Sequence, residues 1–107
     1  MSGRYLPYGR QLIGEDDIAD VDQESGLMTP QTLREAMARV TGLVKAVLPV
    51  HLAGQSADMP AISQIARAAN AMIVEDACHA LGTETLDGPV GKCAHSDAAC
   101  FSFHPVK

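Results

Sequence analysis

The sequence has no tryptophan, and its 107 residues include only two tyrosines and two phenylalanines. A buried core must therefore be built from Ala, Val, Ile, Leu and Met. Basic runs are also missing, and the net charge of −5 argues against binding to nucleic acid. No apolar run approaches the ~20 residues of a membrane-spanning helix. The first residues lack the apolar stretch of a signal peptide.

Cysteine is scarce, with three residues at irregular spacing. An odd number without paired spacing does not indicate a disulfide framework, so we predict a reducing, cytoplasmic environment. A hydrophobic content of 47% is typical of a globular protein and argues against disorder. The length fits one small domain.

Helix signals occur twice in the chain. Thr29 is a good N-cap followed by proline, and an apolar stripe continues to Gly42, where we expect the helix to end. Asp58 caps a second helix with Pro60 near its start. Residues 1–21 contain no such pattern and are predicted to form an N-terminal arm.

Three apolar segments of strand length alternate with these helices, at residues 45–50, 71–76 and 98–103. The first has no polar alternation, which favours a parallel strand covered on both faces. Pro49 within it cannot donate to a ladder and fits best at a strand end or edge. Strands separated by helices predict right-handed parallel crossovers. We therefore predict that residues 22–107 form an α/β domain with a partial parallel sheet and flanking helices.

Polar side chains stand at the end of each predicted strand. His51 follows the first strand, and Asp76 ends the second with His79 shortly after it. The third strand holds Ser102 and leads to Lys107. Ligands of open α/β sheets bind beyond the carboxyl ends of the strands. These residues therefore predict a binding site at one edge of the sheet, although His51 has no specific role and is interpreted as structural.

Two motifs at this edge resemble those of a known enzyme family. Residues 101–107 read Phe-Ser-Phe-His-Pro-Val-Lys, and residues 73–82 read Ile-Val-Glu-Asp-Ala-Cys-His-Ala-Leu-Gly. They resemble the cofactor-lysine motif and the Glu-Asp-x-x-His/Gln-Ala-x-Gly segment of the DegT/DnrJ/EryC1/StrS sugar aminotransferases. Residues 47–55 and 8–11 are also similar to family segments, so the resemblance covers nearly the whole chain. Within the family, the chain is most similar to transaminases that form UDP-4-amino-4,6-dideoxy-N-acetylaltrosamine.

The resemblance implies a fold-type I transferase that uses pyridoxal 5′-phosphate (PLP). By this resemblance Lys107 forms the Schiff base with PLP and Asp76 holds the protonated pyridine nitrogen, so the ring can act as an electron sink. His79 would lie beside the ring, and the Ser102 hydroxyl suits the phosphate. The implied reaction transfers an amino group from glutamate to C4 of a UDP-linked 4-keto-6-deoxy sugar, in pseudaminic acid or surface polysaccharide biosynthesis. A homodimer is implied as well.

The chain also departs from the family pattern. The family has a long stretch, with the phosphate-cradling loop, between its N-terminal arm and an Asp-x-Glu-Ser-Gly-Leu-Met-like segment. Here residues 19–22 lead directly into that segment, and the family sequence that follows the lysine is not present. We expect an internally deleted and truncated fragment that is inactive on its own.

Two alternatives come from other functional classes. One is a non-enzymatic α/β module that binds a nucleotide sugar or a partner. The other is a zinc-binding domain, suggested by three cysteine–histidine pairs: Cys78 and His79, Cys93 and His95, and Cys100 and His104. The paired spacing of structural zinc sites is missing, and Cys100 lies in an apolar strand, where cysteine behaves as a small hydrophobe. No metal site is therefore predicted.

Overall fold

The structure is a computed structural model that describes residues 18–103. Most of the predicted N-terminal arm, together with His104 and Lys107, lies outside the described residues. The described elements, in chain order, are α1 (Pro30–Arg39), β1 (Ala46–Val47), α2 (Met59–Ala68), β2 (Met72–Asp76), β3 (Glu84–Thr85), β4 (Gly88–Pro89) and β5 (Ala98–Cys100).

The main sheet has three parallel strands in the order β1-β2-β5. Ala46 pairs with Met72 on one side of β2, and Val74 pairs with Ala98 on the other. The short strands β3 and β4 form a separate antiparallel hairpin. A parallel sheet with two helices confirms the predicted α/β class.

Both helices begin where the sequence predicts. The Thr29 hydroxyl accepts from the Thr32 N–H at 3.1 Å, and the Thr29 N–H donates to the Thr32 hydroxyl at 2.9 Å, which forms a capping box. Asp58 caps α2 by accepting from the Ala61 N–H. The predicted end of α1 at Gly42 is wrong, because Val40 is already extended with φ −71° and ψ 131°.

Strand β5 is shorter than predicted. It ends at Cys100 rather than at residue 103. Its partner β2 ends at Asp76, which pairs with Cys100, so the later residues have no strand on which to continue the ladder. Pro49 lies beyond the end of β1, as its missing N–H requires.

The core lies between the helices and one face of the sheet. Ile62 of α2 and Ile73 of β2 are completely buried there. The cluster consists of aliphatic side chains, alanine and methionine, as predicted from the shortage of aromatics: Leu33, Val47, Ala57, Met59, Ile62, Ala66, Ala71 and Ile73.

The opposite face, here called the open face, is not covered by the described residues. Leu48 is 56% exposed, Val50 47% and Met72 57%. The prediction that residues 45–50 are covered on both faces is therefore wrong for this part of the chain. Both helices contribute to the core cluster on the other face of the sheet. Every second residue along residues 46–50 and β2 points away from that core and is in contact with solvent. An apolar groove of about 670 Å³ adjoins this face and is lined by residues of α1 and β1.

An ion pair joins the end of α2 to the turn that precedes β5. The Arg67 guanidinium donates two hydrogen bonds to the Asp97 carboxylate, at 2.7 and 3.1 Å. Asp97 also accepts from the Ile73 N–H at 2.9 Å, at the start of the central strand. These contacts lower the pKa of Asp97, with Arg67 as the larger cause and the Ile73 N–H next, and Asp97 raises the pKa of Arg67.

None of the helices within residues 18–103 is long and apolar enough to cross a membrane.

Candidate functional site

Asp76 is the last residue of the central strand, and backbone hydrogen bonds hold this end of the strand on both sides. Its N–H donates to the Pro49 carbonyl at 2.9 Å, and its carbonyl accepts from the His51 N–H at 3.0 Å. On the β5 side, the next residue, Ala77, donates its N–H to the Cys100 carbonyl at 2.8 Å. Asp76 is therefore held where the carboxyl ends of three parallel strands meet.

The side chain of Asp76 is half-buried and follows the alternation of β2. Glu75 and Ile73 are buried on the core face, so Asp76 lies on the side of the open face. One carboxylate oxygen, Oδ1, accepts from the Cys78 N–H at 3.2 Å. The sheet thus presents a carboxylate at its carboxyl edge, as the sequence predicts.

His79 lies in the turn after β2 and is exposed. Its carbonyl accepts from the Gly54 N–H at 2.8 Å, and the Gly54 carbonyl accepts from the Thr83 hydroxyl at 2.9 Å. Gly54 has φ +81°, a conformation that glycine adopts without strain. These bonds hold the loop after β1 against the loop after β2, and so fix the backbone that carries His79 beside the edge.

Ser102 follows β5 and is half-buried. Phe101 and Phe103 do not share a buried face, because the ladder ends at Cys100 and Phe103 is 83% exposed. Phe101 is half-buried and packs on Gly91, where an added Cβ would come within 2.8 Å of the phenylalanine ring. Ser102 therefore lies just beyond the edge of the sheet, next to a phenylalanine that packs against Gly91.

The structure thus places three of the four predicted site residues at or just beyond one edge of the sheet. Asp76 ends β2 and Ser102 lies two residues beyond the end of the neighbouring strand β5, because Asp76 pairs directly with Cys100. His79 lies in the loop that leaves the same edge. Lys107 lies outside the described residues, so its assignment stays a prediction.

His51, interpreted from the sequence as structural, is fully buried, which confirms that interpretation. Its Nε2 lies 2.6 Å from Glu75 Oε1, and Ser96 donates its hydroxyl to Glu75 Oε2 at 2.5 Å. Sequence reasoning missed Glu75 and Ser96. The sequence could have indicated Glu75 by its position, because it lies two residues after Ile73 in the same strand and so shares its buried face. A buried carboxylate needs hydrogen-bond partners.

The cysteines do not assemble a metal site in the part of the chain that the structure describes. No three His, Cys, Asp or Glu side chains there come close enough together to hold a metal ion. Within residues 18–103, Cys78, Cys93 and Cys100 form no disulfide bond. The expectation that Cys100 is a buried hydrophobe is wrong, because it is exposed at the end of β5. The zinc alternative gains no support from residues 18–103.

Two solved structures of aminotransferases are similar in fold to this chain. An aminotransferase from Psychrobacter cryohalolentis matches with a TM-score of 0.69 and 32% identity over 79% of this chain. A 3-amino-5-hydroxybenzoic acid synthase matches with a TM-score of 0.67 and 34% identity over 80% of it. The chain spans only 20% and 21% of the lengths of these two proteins.

The fold therefore has the α/β class of the large domain of fold-type I transferases, with a partial parallel sheet and flanking helices. The sequence profile of the DegT/DnrJ/EryC1/StrS aminotransferase family matches residues 15–107. The chain belongs to the DegT/DnrJ/EryC1/StrS aminotransferase family.

Proposed function

We propose that this chain contributes the cofactor-binding residues of a PLP-dependent aminotransferase. The observation that carries the proposal is the half-buried carboxylate of Asp76 at the carboxyl end of the central parallel strand. Ser102 leaves the neighbouring strand at the same edge, and the sequence runs on from it to Lys107. Membership of an aminotransferase family that is generally PLP-dependent supports the same reading.

The donor set at this edge fits PLP. A carboxylate can accept a hydrogen bond from the pyridine nitrogen and keep that nitrogen protonated, and Asp76 supplies it. The Ser102 hydroxyl can donate to a phosphate oxygen, and the exposed His79 can lie against the ring. When bound, PLP supplies an electron sink for the carbon that gains or loses the amino group.

Lys107 has two proposed tasks. Its Nζ amine holds the cofactor covalently before the substrate arrives. Once released, the same amine moves the proton at the carbon that bears the transferred nitrogen. Asp76 would support both tasks by holding the proton on the pyridine nitrogen.

The proposed amino acceptor is C4 of a UDP-linked 4-keto-6-deoxy sugar, with glutamate as the amino donor. Within the family, the resemblance of the chain to altrosamine-forming transaminases supports this substrate class, in pseudaminic acid or surface polysaccharide biosynthesis. A cytoplasmic homodimer is part of the same proposal.

Reductive trapping tests the cofactor assignment. The chain is mixed with PLP and reduced with borohydride, and the adduct is located by peptide mass spectrometry. We expect selective labelling of Lys107 over Lys45 and Lys92, the other two lysines. Asp76→Ala should reduce the labelling about tenfold, since a hydrogen bond to a charged group contributes about 1.5–3 kcal/mol.

Two controls accompany this experiment. Lys45→Ala removes an amine at the opposite end of the sheet, where the Lys45 carbonyl accepts from the Met72 N–H, and should leave the adduct at Lys107 unchanged, whereas Lys107→Ala should abolish it. Equal labelling of Lys45, Lys92 and Lys107 would contradict the proposal, because it would show that no organised site selects one amine.

A further inference from the structure

Behind Asp76, on the core face of the sheet, lies a buried polar network formed by His51, Glu75 and Ser96. His51 is completely buried and Glu75 is 5% exposed. The Ala57 N–H donates to His51 Nδ1 at 3.0 Å, so that nitrogen is an acceptor and the ring proton lies on Nε2. Nε2 then donates to Glu75 Oε1 at 2.6 Å, and the Ser96 hydroxyl donates to Glu75 Oε2.

This arrangement excludes a hydrolytic role for the three residues. In a nucleophilic triad the histidine would accept the serine proton. Here both nitrogens of His51 already have partners, and Ser96 is bound to the carboxylate. No buried side-chain polar atom among the described residues lacks a hydrogen bond. A fully satisfied buried network stiffens the elements that it joins.

The network joins four parts of the chain around the central strand β2. His51 follows β1, Glu75 belongs to β2, Ala57 precedes α2, and Ser96 precedes β5. His51 has a second contact, because its backbone N–H donates to the carbonyl of Asp76 at 3.0 Å. One residue therefore binds Glu75 through its side chain and Asp76 through its backbone.

Anchoring Glu75 fixes the direction of the residue that follows it. Successive side chains of a strand point to opposite faces, so a carboxylate locked on the core face sends the next one towards the open face. We propose that His51, Glu75 and Ser96 are positioning residues that hold the Asp76 carboxylate at the carboxyl edge of the sheet. The effect of this positioning on cofactor binding rests on the function proposed above. The claim that the network holds the Asp76 carboxylate in place does not depend on that function.

The structural part is tested by amide hydrogen exchange of the chain, followed by NMR. Glu75→Ala, or Ser96→Ala if that variant does not fold, should speed exchange at the His51 and Asp76 amides at least tenfold relative to Met72. The Met72 N–H donates to the Lys45 carbonyl at the opposite end of the same strand, so it reports general loosening. Equal acceleration at Asp76 and Met72 would overturn the proposal.

Two further variants separate positioning from general stability. Glu75→Gln should restore slow exchange, because its amide oxygen can accept from His51 and its amide nitrogen can donate to Ser96. Thr29→Ala weakens the cap of α1, which is not part of the network, and it should leave the ratio of the Asp76 and Met72 exchange rates within about twofold of wild type. If the His51 and Asp76 amides exchange as fast in Glu75→Gln as in Glu75→Ala, the proposed hydrogen-bonding role is contradicted.

The cofactor part uses the trapping reaction on the same variants. Glu75→Ala should lower the Lys107 adduct about tenfold and Glu75→Gln should recover it. If wild type gives a selective adduct and Glu75→Ala gives the same yield, the positioning proposal fails and the proposed function stands. If wild type gives no selective adduct, the proposed function fails and the exchange rates alone decide whether the network positions Asp76.

Discussion

Asp97 shows how much one exposed carboxylate can connect. It binds the guanidinium of Arg67 through both oxygens and accepts the N–H of Ile73, so α2, β2 and the turn before β5 meet at one side chain. Exposed ion pairs usually contribute little, but a bidentate arginine pair with an added backbone donor is the favourable geometry. The lowered pKa of Asp97 reflects these bonds.

This pKa shift predicts how stability depends on pH. An Asp97 carboxyl with a folded pKa below 3.8 stabilises the fold fully above that value, and the contribution is lost as pH falls through the folded pKa. Asp97→Asn should therefore lower the urea midpoint at pH 6, and the gap to wild type should narrow below about pH 3.8.

The difference between wild type and Asp97→Asn at each pH cancels the contributions of the other acidic groups to stability. The pKa of Asp22 is also lowered, mainly by the Ser25 N–H, and both chains share that effect. A gap that stays constant from pH 6 to pH 3 would contradict the assignment to Asp97.

At the scale of residues, the sequence predicts the side chains that end strands and misses those that find distant partners. Asp76 and Ser102 could be located because strand ends and motifs are local signals. The pairs Arg67 with Asp97 and Glu75 with Ser96 could not, because they join residues 30 and 21 positions apart with no repeating pattern between them.

Helix α1 depends on a cap made within four residues of sequence. The reciprocal bonds between Thr29 and Thr32 satisfy N–H groups that otherwise have no partner at the start of a helix. Leu33 and Ala36 of this helix are buried against the rest of the core. The cap therefore supports a part of the core as well as the helix itself.

Thr29→Ala should lower the free energy of unfolding by about 1 kcal/mol, the usual loss for an N-cap replaced by alanine. Urea unfolding followed by circular dichroism measures this change. Thr29→Ser keeps the hydroxyl and should stay within about 0.5 kcal/mol of wild type. An equal loss in both variants would show that the methyl group of threonine matters more than the cap.

The starts of the elements could be read from the sequence more accurately than their ends. Caps such as Thr29 and Asp58 act on the next few residues, so the signal is contained in a short window. The end of β5 at Cys100 depends on where its partner β2 ends, and no residue near Cys100 in the sequence indicates that position. Val40 leaves the helix although the apolar stripe of α1 continues to it.

The whole molecule has an uneven distribution of apolar surface. The open face carries Leu48, Val50 and Met72, while the other face is packed under the helices. The prediction of a strand covered on both faces came from a run of apolar residues, and such a run shows what each side chain prefers rather than which partner is present. The open face is therefore an apolar patch of the kind that binds hydrophobic probes.

Replacing both Leu48 and Met72 with glutamine should reduce the fluorescence of the dye ANS severalfold, because the dye binds exposed apolar surface. The urea midpoint should stay close to wild type, since neither side chain belongs to the buried core. Leu86→Gln serves as the control, because Leu86 is fully exposed in the turn of the hairpin. If Leu86→Gln reduces the ANS fluorescence as much as the double variant does, the dye signal does not come from the open face.

The topology of the sheet also has a consequence for the order of folding. Ala46 must find Met72, and Val74 must find Ala98, so neither ladder can start from a local hairpin. Each pairing requires a long loop to close before the ladder gains its hydrogen bonds, which slows folding. During synthesis, the edge that carries Asp76 is completed only after Cys100 has left the ribosome, so Asp76 gains its neighbouring strand on the β5 side later than the one on the β1 side.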